Sequence, residues 1–571
     1  MGLVELFWEN ATLKPVLIIF IGTFVVSGCI NRIQEHYRLK QFGARARTIP
    51  AKLPWALDII YYTVQATINH KNLEKWLDYF RESRTDTDGN GMFTAELRVI
   101  NKRTIFTADP ENIKAILATQ FHDYGKGEIF HNDWREFLGD SIFVTDGQMW
   151  HTSRQLLRPQ FIRDRISHLH CFESHLETLF KAMANGGALN GEDQQVEMDA
   201  VNGRVLDISD LFFRYTLDVS TDFLLGKDVK SLRYNPPPPP FPPGSPGTQA
   251  FMRAFRTDEY ISNIRQDFAD AFNEVQHIQN ILARIGSLPS KFMSKKRFRH
   301  CLATVNDFVN EYVQQALRLS PEELSSKTKS DMSYTFLHEL ASYTRDPKVL
   351  RDQLVAVLLA GRDTTAAALS WTIYELGRHP EVVKKLRDEI LSVVGPDKAP
   401  TYADLKGMKY LQNVINETLR LYPVVPFNVR FALKDTTLPR GGGPDGTQPL
   451  AVLKDTAIGY TTLAMHRRPD LYPPASEDFR PVDEFSPERW YVWQPRPWQY
   501  VPFNGGPRIC IGQQFALTEM GYVLTRMFQR FDRVESSMGP VDGGSPTLKA
   551  EIVLQPGDGV HVAFWQAKND E

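Results

Sequence analysis

Apolar positions recur with the helical period over most of this chain. They alternate with a period of two only in short stretches toward its two ends, so the sequence predicts a mainly α fold with small β-sheets. Thr94 to Ile100 and Thr104 to Thr107 alternate around Asn101-Lys102 and predict a β-hairpin. The pattern is helical from Pro110 to about Leu225 and again from Phe251 to Leu319. Between them Asn235 to Gly247 (NPPPPPFPPGSPG) cannot be helix or central strand, and predicts a proline-rich surface loop. Val349 to Arg378 predicts a long apolar helix, and Lys406 to Leu421 another that Pro423 ends. Val424 to Ala464 turns to strands and loops, and Gln513 to Phe531 is helical again.

Pro15 to Ile30 (PVLIIFIGTFVVSGCI) is apolar and uncharged. It is slightly short of the ~17–25 residues that span a bilayer, but Ala11 to Leu13 and a snorkelling Lys14 extend it. Arg32, Arg38, Lys40, Arg45 and Arg47 follow, and Glu5 and Glu9 precede, which places the rest of the chain on the cytoplasmic side. A cleaved signal peptide would carry its positive charge ahead of the apolar run. Leu53 to Ile68 is also apolar and aromatic, and reads either as a membrane-interface segment or as a face packed on the globular part. The expected organisation is a transmembrane anchor over residues 1–31, a basic, membrane-proximal linker over 32–90, and one globular domain over 91–571 carrying the loop 235–247.

Composition narrows the function. Hydrophobic residues make up 42% of the 571 residues, enough for a large core. Lys and Arg number 66 against 68 Asp and Glu, which excludes the basic balance of a nucleic-acid binder. Cys29, Cys171, Cys301 and Cys510 are scattered, form no disulfide framework, and indicate a reducing compartment.

The candidate chemistry centres on Phe503-Asn504-Gly505-Gly506-Pro507-Arg508-Ile509-Cys510-Ile511-Gly512. Its glycines let the backbone approach a flat ligand. Arg508 offers a fork suited to a carboxylate. Cys510 precedes a helix N-terminus, whose free N–H groups and positive end favour thiolate. A lone thiolate in such a loop can be the axial ligand of a haem iron. A zinc site would need several Cys or His close by, and the sequence has none there. A lone buried Cys packing as a small hydrophobe is the blander alternative. The pattern F-x-x-G-x-R-x-C-x-G resembles the cytochrome P450 superfamily, the haem-thiolate monooxygenases.

Further motifs follow in the order this resemblance requires. The long apolar helix contains Ala360-Gly361-Arg362-Asp363-Thr364-Thr365. Small residues there leave a notch, and Asp363 and Thr364 can pass protons to bound dioxygen. Taken alone, a packing site with Thr364 bonded back to a carbonyl is an equal reading. The stretch is similar to the superfamily's oxygen-activating A-G-x-D-T-T. Glu417 and Arg420 share a helix face, which by spacing alone is a surface ion pair. The resemblance implies instead a buried network of Glu417 and Arg420 with Arg489 of Pro487-Glu488-Arg489-Trp490, supporting the haem loop. Trp150 and Arg154 lie one helical turn apart and suit a haem propionate, and Arg430 resembles another propionate-binding position. By the same resemblance Phe503, Arg508 and Gly512 line the haem and Cys510 ligates its iron.

Leu156 to Phe161, Arg362, Leu438 to Gly446 and Gly512 to Leu517 are similar to the fungal alkane- and fatty-acid-hydroxylating branch. Ile511 departs from the usual Leu, conservatively. Ala360 stands where some animal fatty-acid hydroxylases carry a haem-esterified Glu, so non-covalent haem b is expected. The resemblance implies a cytochrome P450 fold and an enzyme of the endoplasmic reticulum membrane, single-pass, with its catalytic domain in the cytosol. It uses O2 and electrons from NADPH through a separate reductase, with cytochrome b5 as an optional second donor, since no flavin or nicotinamide module follows in the chain. The expected substrate is a long-chain fatty acid or alkane, oxidised at or near its terminus. The alternatives are a tailoring oxidation in fungal secondary metabolism and, from another class, an oxygen-independent haem isomerase or dehydratase, which has less use for Asp363 and Thr364.

Overall fold

Early and late strands of the chain meet in one sheet rather than forming separate sheets at its two ends. In the computed structural model, β1 (Arg47–Thr48), β2 (Thr94–Val99), β3 (Lys102–Thr107), β4 (Tyr124–Gly125), β6 (Phe427–Ala432) and β9 (Ala457–Thr461) lie in the order β1-β2-β3-β9-β6-β4. β5 (Val205–Asp207) joins β10 (Phe531–Ser536) and β13 (His561–Gln566) in a second sheet. Two hairpins, β7 (Thr436–Gly442) with β8 (Gln448–Val452) and β11 (Leu548–Ala550) with β12 (Leu554–Pro556), complete the strands. The structure describes residues 13–53, 56–82, 93–99, 102–161, 169–191, 194–233, 264–285, 293–326, 335–476 and 479–567. The proline-rich stretch 235–247 lies outside them, as do most side chains before residue 32.

The chain divides into two compact units that do not follow sequence order. The first comprises Met1–Asp58, Asp78–Gly125 and Val429–Gly459. The second comprises Ile59–Leu77, Lys126–Asn428 and Tyr460–Glu571.

In the first unit the expected hairpin forms in register, from Thr94 opposite Thr107 to Val99 opposite Lys102. β1 pairs parallel to β2, so residues 47–48 are part of the sheet. Glu96 of β2 is 2% exposed and is neutralised on two sides, by Arg103 (Nη2, 2.5 Å) and by Arg45 (Nη2, 2.5 Å). Arg38 forks onto Asp435 at 2.6 Å, and Leu39 packs on Ala451 and Leu453. Two of the basic residues after the apolar run thus fasten the chain onto the sheet. The apolar run itself begins a helix, Leu13–Phe42, that continues well past Ile30. Among the described residues no helix is long and apolar enough to cross a membrane.

The second unit is helical and is organised by the helix Pro347–Leu376. Asp346 caps it, accepting from the N–H groups of Lys348 and Val349, and Pro347 sits at the first helical position, where no N–H is needed. Nearly every residue from Leu350 on is buried, as an all-round apolar helix requires. It packs along Ile208–Leu225, and Trp371 stacks on Tyr422 with centroids 4.1 Å apart. The helix expected over Lys406 to Leu421 is two helices, Tyr402–Gly407 and Lys409–Leu421. Met408 is extended between them (φ −76°, ψ 97°), and Thr401 and Asp404 form a capping box that starts the first. Leu57–Ile68 shows Tyr61, Val64 and Ile68 to solvent, a stripe at helical spacing.

Candidate active site

The Cys510 loop is closed by its own backbone. The Cys510 N–H donates to the Phe503 carbonyl at 2.9 Å, and Gly506–Arg508 forms a single 3-10 turn between them. Gly506 (φ 64°) and Asn504 (φ 60°) occupy the left-handed region, and the Asn504 side chain accepts from the Tyr460 hydroxyl at 2.9 Å. A Cβ on Gly505 would lie 2.5 Å from the Trp498 ring, so glycine is obligatory there. The helix Gln513–Arg530 starts after Gly512, so Cys510 stands just ahead of its N-terminus, as expected.

Cys510 combines depth with openness. Its residue surface is exposed, yet desolvation by surrounding protein pushes its thiol up. The Gly512 backbone N–H and the Arg154 guanidinium pull the other way and do not prevail. A Cβ on Gly512 would come no closer than 3.7 Å to protein, at Phe161, so protein contacts alone do not demand glycine there.

The basic residues gather beside the loop. Trp150 and Arg154 occupy the helix Gly147–Leu157, with the Arg154 guanidinium 5.9 Å from the indole and its Nη1 3.1 Å from the Ile509 carbonyl. Arg508 lies 4.6 Å from the same indole, and its Nη2 donates to the Thr145 carbonyl (2.8 Å) and the Asp146 carboxylate (2.6 Å). The fork of Arg508 is therefore engaged by a protein carboxylate. Asp146 also accepts from the N–H groups of Lys126 and Gly127. Arg430 is buried on β6 in the first unit, with Nη1 on the Val429 carbonyl.

The loop is braced by a buried charge network. Arg420 meets Glu417 through two bonds of 2.8 Å, and Arg489 Nε reaches the same carboxylate at 3.2 Å. The Ser486 N–H (3.0 Å) and the Trp490 indole N–H (3.1 Å) also donate to it. The remaining guanidinium donors go to the carbonyls of Val482, Arg480 and Pro481. Such a network is tolerable in the interior because every charge is both paired and hydrogen-bonded. His466 extends it to the loop. Its carbonyl accepts from Tyr472 and its Nε2 accepts from the Val501 N–H at 3.0 Å, which puts the ring proton on Nδ1.

The central helix is buried throughout 352–376 except at Val357, Ala360, Gly361 and Thr364, which lie on one face at spacings of three and four. This open stripe contains the sequence-predicted Thr364, whose hydroxyl donates to the Ala360 carbonyl at 2.6 Å. Its oxygen keeps lone pairs to accept with. Gly361 serves packing as well as space, since a Cβ there would lie 3.1 Å from Ser220 Oγ. Asp363 points away from the stripe and is buried. Burial raises its carboxyl above the usual range, against the nearby Arg362.

Cys171, His175 and Asp222 are brought together elsewhere, but these groups already serve one another: Asp222 takes Cys171 Sγ at 3.4 Å and His175 Nε2 at 3.1 Å. Burial and the neighbouring Asp222 push the Cys171 thiol well up. An accessible thiol at Cys510, with the Arg154 and Arg508 guanidiniums beside its loop, is a set of groups that suits a flat, iron-bearing, dianionic ligand.

The comparisons agree. The family model described as Cytochrome P450 matches residues 90–558, and the chain belongs to that family. It is 52% identical to cytochrome P450 monooxygenase pvhE of Talaromyces variabilis over 94% of this chain and 93% of that one. It is 41% identical to cytochrome P450 52A13 of Debaryomyces hansenii over 90% of each, and 40% identical to cytochrome P450 52A1 of Candida tropicalis over 96% and 94%. The crystal structure of the cytochrome P450DA heme domain has the same fold, with a TM-score of 0.67 at 20% identity over 92% of this chain and 99% of that one. The family binds haem b through a cysteine thiolate, uses O2, takes electrons from a redox partner and acts on lipophilic substrates.

The bracing carries a pH signature. Burial and the neighbouring Arg420 push His466 down to about 3 from its usual 6.5. Between those values the unfolded chain holds a proton that the folded one refuses, so stability falls as pH drops through the window. The slope approaches ~1.4 kcal/mol per pH unit for this one group. His466→Gln keeps an acceptor for Val501 and cannot titrate. Urea unfolding at a series of pH values below neutrality should show a shallower acid loss in the variant, and an identical loss would remove His466 from this role.

Proposed function

We propose that this enzyme hydroxylates long-chain fatty acids or alkanes at or near the terminal carbon, using O2 and electrons that NADPH supplies through NADPH–cytochrome P450 reductase. Cys510 ligates the haem iron, and the observation that carries the reading is the desolvated yet open position of that thiol. When bound, thiolate-ligated haem b supplies the oxygen-activating chemistry.

The chain's own residues supply the rest. Arg154 and Trp150 receive a haem propionate, and Arg508, its fork held by Asp146, lines the ring. Phe503 and Gly512 leave room beside the ring. Glu417, Arg420 and Arg489 hold the loop in register. Asp363, whose carboxyl burial pushes above the usual range, passes a proton toward the Thr364 hydroxyl on the open stripe. A terminal methyl has a stronger C–H bond than the neighbouring methylene, so terminal attack requires a narrow channel that admits only the chain end.

Such a channel makes affinity a function of length. Each buried methylene contributes about 0.8 kcal/mol, or roughly fourfold in Kd. A spectral titration with saturated fatty acids of increasing length should therefore show Kd falling stepwise until the channel is full. A flat series, together with a shift produced by a bulky polycyclic or polyketide lipid, would transfer the enzyme to a secondary-metabolite tailoring oxidation.

The same reading places the enzyme on the endoplasmic reticulum, with residues 15–30 as a single-pass anchor and the catalytic domain in the cytosol. The apolar run, the basic residues after it, and the solvent-facing Tyr61, Val64 and Ile68 support it. Protease added to sealed microsomes should degrade the catalytic domain; full protection would reverse the topology.

A further inference from the structure

Away from the Cys510 loop, two helices of the second unit bring three metal-ligating side chains to one point. Cys171 and His175 sit four residues apart on the helix His170–Asn185 and so share a face. Asp222 meets them from the helix Ile208–Leu225. One ligand atom from each lies within 4.8 Å of the other two. Among the described residues this is the one group of Cys, His, Asp or Glu side chains that does so.

The separations suit a small tetrahedral ion. Around zinc, with bonds of about 2.0–2.1 Å to nitrogen and oxygen and about 2.3 Å to sulfur, the edges between ligand atoms are roughly 3.4 Å for N···O and roughly 3.6 Å for S···O. Asp222 Oδ2 stands 3.1 Å from His175 Nε2 and 3.4 Å from Cys171 Sγ. An ion between them lengthens these two edges by only about 0.3 Å or less. Hydrogen bonds occupy the same contacts when no ion is present, and the ion takes the place of their protons.

The surroundings favour coordination. His175 turns its other nitrogen, Nδ1, to the Asp228 carboxylate, 3.9 Å from Oδ2. A carboxylate behind the second nitrogen selects the tautomer in which Nε2 can coordinate. Asp218, also close to His175, is committed to the Ser231 and Leu232 N–H groups at 2.7 and 3.1 Å. Glu519 is a further acid whose charge reaches Cys171. The Asp222 side chain is 33% exposed, so a cation can enter from solvent and a water can fill a fourth position. One thiolate and one carboxylate neutralise a divalent ion, and the thiolate selects zinc over magnesium and calcium.

We propose that Cys171, His175 and Asp222 bind a zinc ion, with water as the fourth ligand, and that this ion ties the helix His170–Asn185 to the helix Ile208–Leu225. Binding forms the Zn–S, Zn–N and Zn–O bonds, releases the Cys171 thiol proton to solvent and moves no electron. Phe172 and Phe223, next to two of the ligands, meet the Phe515 ring at 5.4 and 4.9 Å. The tie therefore bears on the helix that follows Cys510.

Haem-loaded full-length protein, stripped with a chelator and dialysed against zinc chloride, should retain one zinc per chain. X-ray absorption at the zinc edge should show one sulfur at about 2.3 Å among nitrogen and oxygen neighbours. Cys171→Ser should lose the sulfur shell, and His175→Gln the stoichiometric zinc. The red-shifted carbon-monoxide band of each variant checks that it has folded around haem. Asp228→Asn should weaken zinc by about ten- to a hundredfold. Restoring zinc should raise the thermal unfolding midpoint of the wild type and leave that of Cys171→Ser unmoved. A wild type that retains no zinc, or whose zinc has no sulfur neighbour, would overturn the proposal. So would a sulfur shell that survives in Cys171→Ser. Should either ligand variant fail to fold, the wild-type absorption spectrum and Asp228→Asn decide the matter.

Discussion

A thiolate in a protein interior needs a cation, and the architecture of the second unit answers that constraint. Cys510 is deep enough that desolvation alone disfavours its charged form. The helix N-terminus, the Gly512 N–H and Arg154 reduce that cost without cancelling it. A metal centre deprotonates a coordinating thiol outright, so an iron bound at Cys510 would complete an electrostatic balance the protein leaves open. The other features follow from keeping that position open and fixed. Backbone bonds and a tight glycine at 505 close the loop, while Glu417, Arg420, Arg489 and His466 brace it. The central helix leaves one stripe uncovered.

The stripe also separates two adjacent polar residues. Thr364 lies on the accessible face and its hydroxyl is already oriented by the Ala360 carbonyl. Asp363 turns to the opposite side, where burial raises its carboxyl above the usual range.

Much of this was legible in the sequence because the relevant signals are local. The glycine loop, W-x-x-x-R, A-G-x-D-T-T and E-x-x-R each lie within one loop or helix, and helical periodicity located the long helix to within a few residues. What escaped depends on pairing across the chain. Asp146 meets Arg508 from more than three hundred residues away, and no local pattern marks it. His466 looked like one histidine among fourteen until its ring was found under the Val501 N–H. The joining of β2 and β3 with β9 and β6 was likewise invisible, because strand partners of such separation leave no period in either segment. The break at Met408 was missed because nothing in its side chain forbids helix.

The central claim is that Cys510 holds the haem iron. Its most direct test is the spectrum of the reduced, carbon-monoxide-bound protein in wild type and in Cys510→Ser, with Cys171→Ser as the control for the other buried thiol. The account predicts the red-shifted Soret band of thiolate ligation in wild type and in Cys171→Ser, and its loss in Cys510→Ser. A Cys510→Ser protein that keeps the red-shifted band would contradict it.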